Sequence, residues 1–158
     1  MKNISIFASG GGSNAQKIYE HFENKEGVRI DTVVCNNPNA GIIDKCSSWG
    51  CELVMIDKEG FKGSRELNEL LMDRGTDLIV LAGFLWLVPG SLVKDFPNKI
   101  VNIHPALLPK YGGKGMHGMN VHKAVELAEE KESGITIHYI NEEYDKGDVI
   151  FQASCDVE

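Results

Sequence analysis

Ile100–Gly113 reads IVNIHPALLPKYGG. Ile100, Val101 and Ile103 make the short apolar run of a buried strand, and Pro105, which has no N–H for a ladder, ends it. Two polar side chains, Asn102 and His104, interrupt the run. Side chains two apart on a strand share a face. An amide and an imidazole should therefore stand side by side at the carboxyl end of a core strand. Such a pair can close a strand end with a hydrogen bond, or it can be a site.

Working back from that strand, strands and helices alternate. Leu78–Leu81 is wholly apolar, as in strands buried on both faces. It runs into Ala82–Pro89, AGFLWLVP, which suits either core or one wall of a pocket for a flat ring. A short helix is expected over Pro89–Asp95. Phe61–Arg74 reads as one helix, with Leu67, Leu70 and Leu71 on its buried side and Ser64 in a cap-like position. Arg65 falls in its first turn, where a cation opposes the helix dipole but could meet an acidic ligand. Further back come a strand at Leu53–Ile56, a helix at Gly41–Trp49 with Ile42, Ile43 and Cys46 turned inward, and a strand at Asp31–Cys35.

The chain begins with a buried strand, Ile4–Ala8, then SGGGSN over Ser9–Asn14, then a helix from Asn14 to Phe22 with Ala15, Ile18, Tyr19 and Phe22 on one stripe. This β-α-β-α-β-α-β-α-β order implies a parallel, right-handed, doubly wound sheet, whose ligands bind beyond the carboxyl ends of the strands. A glycine turn opening a helix offers free amides and the positive end of a dipole to an anion. Gly10-x-Gly12-x-x-Ala15 fits a dinucleotide pattern loosely, but the second strand ends in Cys35-Asn36-Asn37-Pro38 without the acid that motif wants. No Gly-Lys-Ser/Thr is present either. A monophosphate cradle is the preferred reading, with a purely structural turn as its alternative.

Working forward, Gly112–Met119, GGKGMHGM, is loop-like, and His122–Glu129 returns to helix. Gly134–Ile140 alternates, with Ile135, Ile137 and Tyr139 on one face and Thr136 and His138 on the other. An acidic loop, Asn141–Asp148, joins it to a last strand, Val149–Ala153, and the two strands should pair antiparallel.

The length of 158 residues suits one domain, 1–158. A net charge of −7 argues against nucleic acid as a partner, although backbone amides can hold a small anion without lysine. No apolar run approaches the ~20 residues that span a bilayer, and MKNISIFASG is not a signal peptide. Cys35, Cys46, Cys51 and Cys155 contain no CxxC pair, so no metal site is expected. Reduced thiols in a cytoplasmic protein are the simplest account.

Five segments together carry a resemblance: SGGGSN (Ser9–Asn14), SRE (Ser64–Glu66), LAGF (Leu81–Phe84), NIHPALLPKY (Asn102–Tyr111) and GITIHYINEEYDKGDVIFQ (Gly134–Gln152). In this order and over nearly the whole chain, they resemble the phosphoribosylglycinamide formyltransferases, folate-dependent enzymes of purine synthesis. The resemblance implies a Rossmann-like formyltransferase fold and a catalytic set of Asn102, His104 and Asp145. It implies that Gly12, Ser13 and Asn14 bind the phosphate of glycinamide ribonucleotide. It implies that Arg65, Leu85, Trp86, Leu87, Val88, Asn102, Asn141, Glu142, Glu143, Tyr144 and Asp145 hold 10-formyltetrahydrofolate as co-substrate. Direct transfer through a tetrahedral intermediate would need neither a metal nor a covalent enzyme adduct. The small-molecule substrate, no nucleic acid, no membrane, and a monomer or homodimer complete the expectation.

These roles make chemical sense. The substrate amine attacks the formyl carbon, negative charge builds on oxygen, and an amide N–H with an imidazolium can donate to it. A carboxylate beside His104 favours the imidazolium, which can also carry protons between attacking and leaving nitrogens. Leu85 and Trp86 lie where such enzymes vary, and the Gly112–Met119 loop is longer than in the best-known bacterial form. Family members continue beyond the position of Glu158, so a missing C-terminal segment is expected. A tRNA formyltransferase should add a basic domain, and a formyl-folate hydrolase an N-terminal one. A non-catalytic nucleotide-binding module is the alternative from another class.

Overall fold

β1 (Lys2–Ala8) is an interior strand of the sheet, parallel to β2 (Val28–Cys35) on one side and to β4 (Thr76–Leu81) on the other. The computed structural model describes residues 1–141 and 147–158. Among these, β3 (Glu52–Met55) extends the sheet beyond β2, while β5 (Ile100–His104), β6 (Glu132–Tyr139) and β7 (Val149–Asp156) extend it beyond β4. The order is β3-β2-β1-β4-β5-β6-β7, parallel through β5 and antiparallel for β6 and β7. The expected doubly wound, mostly parallel architecture is present. The chain first builds outward from β1 to β3, then crosses to β4 and builds the other way. The crevice beyond the carboxyl ends of β1 and β4 is the switch point at which such sheets bind ligands.

Alternation along β1 divides the core. Ile4, Ile6 and Ala8 pack with Val33, Cys35, Ile42 and Cys46 in one layer, whereas Phe7 packs with Val34, Leu71, Ile79 and Leu92 in the other. Burying each such large side chain contributes roughly 1.5–3 kcal/mol. The first layer receives α1 (Ser13–Phe22) and α2 (Ile42–Trp49); the second receives α3 (Lys58–Gly63), α4 (Glu66–Asp73) and α5 (Gly90–Asp95). A smaller cluster of Ala106, Val121 and Val125 seats α6 (Met119–Leu127) against the segment that follows β5.

The expected single helix over Phe61–Arg74 is two helices. Asp57 caps α3 by accepting a hydrogen bond from the Gly60 amide at 2.7 Å, and Ser64 then adopts an extended backbone with φ −100° and ψ 149°. The Ser64 hydroxyl accepts from the Glu66 amide at 3.0 Å, but Ser64 is the C-cap of α3, and the N-cap of α4 is Arg65, expected within the first turn of one long helix. The alternation expected for β6 is also present, with the polar face inward: Thr136 and His138 are fully buried, while Ile135 and Tyr139 are partly exposed. β7 forms the sheet edge and exposes Val149, Ile150 and Phe151.

Candidate active site

A cavity of about 900 Å³ occupies the carboxyl edge of the sheet. It is lined by Ser9, Gly10, Ser13 and Asn14 of the glycine turn, by Gly83–Val88, by Asn102 and His104 of β5, and by Gly113–Gly118. The glycine turn, the apolar wall and the polar pair read from sequence thus face a single space.

The glycine turn is a backbone device. Gly12 caps α1 with φ 75° and ψ 32°, a left-handed conformation that side chains disfavour. A Cβ there would also stand 2.5 Å from Ile42 Cδ1. No side chain caps α1 and no acid occupies its first turn. Its first N–H groups have no partner within the helix, so the start of α1 suits an anion electrostatically. Three contacts fix the turn: the Ile42 amide to the Gly10 carbonyl at 3.2 Å, Lys45 Nζ to the Gly11 carbonyl at 2.7 Å, and the Ser9 amide to the Gly83 carbonyl at 3.1 Å. Ser9 Oγ accepts from the Leu85 amide at 3.0 Å, tying the turn to the apolar wall.

In that wall, Val88 is buried, while Leu85 and Leu87 are 47% and 39% exposed. Phe84 packs edge-on against Phe7 and Phe61, with ring centroids 5.3 and 5.5 Å away, and Trp86 lies 5.9 Å from Phe61. Ile135 and Ile137 of β6 and Ile140 face the same space. An apolar slot on which a few polar groups converge suits a small organic ligand.

The polar pair is held by long-range contacts. Asn102 sits opposite His138 in the antiparallel register of β5 and β6, and Asn102 Nδ2 lies 3.2 Å from His138 Nε2. His138 Nδ1 lies 3.0 Å from the Tyr139 carbonyl, which can only accept. The tautomer that satisfies both contacts carries its proton on Nδ1 and accepts from Asn102 at Nε2. An amide has two N–H donors, so this bond is compatible with donation to a developing oxyanion. His104, only 2% exposed, donates from Nε2 to the Tyr111 carbonyl at 2.7 Å. That carbonyl is presented by a non-glycine residue at φ 58°, whose hydroxyl donates to Glu130 at 2.9 Å. The carboxylate of Glu130 is held below its usual range by Lys110 and then by Tyr111.

Thr136 supports the segment between these groups. Its buried hydroxyl donates to the Ala106 carbonyl at 2.6 Å and accepts from the Leu108 amide at 3.0 Å. Sequence reasoning puts Thr136 and His138 on one face of a strand but gives neither them nor Tyr111 a part in the site. His138 and Thr136 stand opposite Asn102 and His104 across the ladder, which the alternation of β6 could have signalled had the register been known.

The remaining expected residues divide. Asn141 lines the cavity. Arg65 is not among the lining residues; it pairs with Asp95 at 2.7 Å, and Asn68 donates to the same carboxylate oxygen at 2.7 Å. Glu142, Glu143, Tyr144 and Asp145 lie outside the described residues. Among the described residues, no group of three or more His, Cys, Asp or Glu side chains could hold a metal ion. No helix among them is long and apolar enough to cross a membrane.

A family model described as formyl transferase matches residues 2–158. The chain is 42% identical over 161 residues to a chloroplastic phosphoribosylglycinamide formyltransferase of Arabidopsis thaliana, an alignment covering 97% of this chain and 54% of that protein. It therefore spans about half the length of this relative. Among solved structures, it is similar to phosphoribosylglycinamide formyltransferase from Anaplasma phagocytophilum, with a TM-score of 0.89 and 31% identity over 99% of this chain and 72% of the other. It is likewise similar to glycinamide ribonucleotide transformylase 1 from Symbiobacterium toebii, with a TM-score of 0.88 and 30% identity over 100% and 74%.

Proposed function

We propose that this chain, which belongs to the formyl transferase family, transfers the formyl group of 10-formyltetrahydrofolate to the amine of glycinamide ribonucleotide, a step of purine synthesis. The observation that carries this reading is the convergence on one cavity of an uncapped helix start, an apolar slot, and Asn102 with His104. The names of the similar proteins supply the substrate class. Free cysteines throughout are in keeping with a cytoplasmic setting. The Arabidopsis relative is chloroplastic.

In this reading, the amides of Gly12, Ser13 and Asn14 take the ribonucleotide phosphate, and the helix dipole favours its charge. Leu85–Val88 hold the pterin ring of the co-substrate, with the 141–145 segment completing its grip. The co-substrate supplies the formyl carbon. Asn102 and His104 donate to the formyl oxygen as charge develops on it, a contribution worth roughly 10²–10³ in rate for each donor. His104 also carries the proton of the attacking amine toward the departing folate nitrogen, directly or through water. Because Nε2 is engaged by the Tyr111 carbonyl, this relay uses Nδ1 or needs that contact to open. Asp145 completes the proposed catalytic set.

The test is turnover by the purified chain given both substrates, with release of the deformylated folate followed by absorbance. Turnover is expected, with a severe loss in His104→Ala. An undiminished rate in that variant would overturn the mechanism. Consumption of 10-formyltetrahydrofolate without the ribonucleotide would replace transfer by hydrolysis.

A further inference from the structure

Away from the cavity, two thiols meet across the turn from α2 into β3. Cys46 lies on the inner face of α2 and is fully buried, whereas Cys51, just before β3, is half-buried. Gly50 between them is the left-handed C-cap of α2, with φ 70° and ψ 22°, and it folds the chain back on the helix end. The two Sγ atoms are 2.9 Å apart. A disulfide needs about 2.05 Å, so the sulfurs are under ~1 Å from bonding distance.

The two thiols have different surroundings. Cys46 is packed in the layer that contains Ile4, Ile6 and Ile42. Cys51 lines a second cavity, of about 360 Å³, together with Trp49, Arg29, Asp31 and Arg74. A small reagent can therefore reach Cys51 and not Cys46. The hydrogen bond from Cys46 holds the Cys51 thiol below its ordinary range against the cost of burial and the nearby Asp31 carboxylate, with the Arg74 guanidinium assisting. The same contact, with burial, pushes the Cys46 thiol up. The accessible sulfur, Cys51, is thus the one placed to attack a disulfide first.

We propose that Cys46 and Cys51 form a redox-active dithiol, a modification site at which Cys51 attacks a low-molecular-weight disulfide and Cys46 resolves the adduct. In the first step the Cys51 thiolate forms a bond to one sulfur of the reagent, whose S–S bond breaks to release one thiolate. In the second, the Cys46 sulfur, giving up its proton, attacks Cys51 Sγ, and the second reagent thiolate departs. Two protein thiols are oxidised to one disulfide while one reagent disulfide is reduced to two thiols. The short travel leaves α2 in place, including its Ile42 and Lys45 contacts to the glycine turn. Neither other cysteine shares this setting: Cys35 is buried with its sulfur directed at the Asn37 carbonyl, 3.3 Å away, and Cys155 is exposed on β7.

The test is incubation of the folded chain, in a Cys155→Ser background, with oxidised glutathione, followed by intact mass and peptide mapping without reduction. The peptide containing both Cys46 and Cys51 should lose two hydrogens, and dithiothreitol should restore them. In Cys46→Ser, a glutathione adduct should accumulate on Cys51. In Cys51→Ser, Cys46 should remain a thiol. A persistent adduct in the chain with both cysteines, an unmodified peptide, or equal reaction of Cys46 in Cys51→Ser would each overturn the proposal.

Discussion

At the Gly10–Asn14 end of the cavity, the groups offered to a ligand are backbone amides at the start of α1; at the Asn102–His104 end, they are side chains steered by β6 and by the Tyr111 carbonyl. The first end depends on shape. Gly12 is needed because its φ is 75° and because Ile42 fills the place of a Cβ. The second end depends on chemical identity and on partners far away in the chain: His138 lies 36 residues from Asn102. If the proposed reaction is correct, damage to the shape-dependent end should weaken binding, and damage to the chemical end should slow turnover.

The largest effect that can break this division comes from His104→Ala. Its kcat should fall about 10²–10⁴-fold, and that of Asn102→Ala about 10²–10³-fold, while KM for the ribonucleotide changes little. Steady-state kinetics that place the loss mainly in KM would merge the two ends.

A control lies outside both. Asp31 is nearly buried and pairs with Arg74 at 2.8 Å and Arg29 at 3.0 Å. Burial alone would raise its carboxyl pKa, but the Arg74 and Thr32 hydrogen bonds and the two guanidinium charges outweigh it and hold the group below its usual value. Arg74→Met should cost on the order of 2 kcal/mol in urea denaturation at neutral pH, less than a fully buried pair would because Arg74 is partly solvated. A carboxylate lowered by folding contributes stability that is present above its unfolded value and lost as pH falls through its folded value. The gap between wild type and variant should therefore narrow below pH ~4. A gap that stays constant into acid would remove Asp31 from the account.

Gly12→Ala should act in the opposite sense to His104→Ala. It should raise KM for the ribonucleotide about tenfold, equivalent to ~1.4 kcal/mol, with kcat kept within a few-fold. Adding Ile42→Ala removes the side chain that the new Cβ meets and should recover part of the loss; full recovery would show that the left-handed backbone at Gly12 is unimportant. The smallest expected effect is Thr136→Val. It leaves the Ala106 carbonyl and the Leu108 amide without their hydroxyl partner and should cost roughly 1–2 kcal/mol of stability, measured by urea denaturation. An unchanged midpoint would mean that water replaces the hydroxyl.

The same division governs what could be read from sequence. The glycine turn was legible because strand, turn and helix are consecutive, as were the apolar runs of β1, β4 and β5, which need burial whatever their neighbours. The break between α3 and α4 was not, because Leu67, Leu70 and Leu71 continue a helical stripe while Asp57, upstream, caps a separate turn. The inward side of β6 was hidden for a related reason. Thr136 and His138 are buried because they satisfy Ala106, Leu108 and Asn102 across the ladder, and no local pattern announces those partners. Arg65 was placed by resemblance, and its observed partner, Asp95, comes from another helix.

The most direct measurement is a crystal structure of the chain with glycinamide ribonucleotide and a folate analogue that cannot transfer its one-carbon group. The account predicts the phosphate within hydrogen-bond distance of the amides of Gly12, Ser13 and Asn14, and the carbonyl equivalent facing Asn102 and His104. A phosphate seated elsewhere, or an analogue whose carbonyl faces away from that pair, would contradict it.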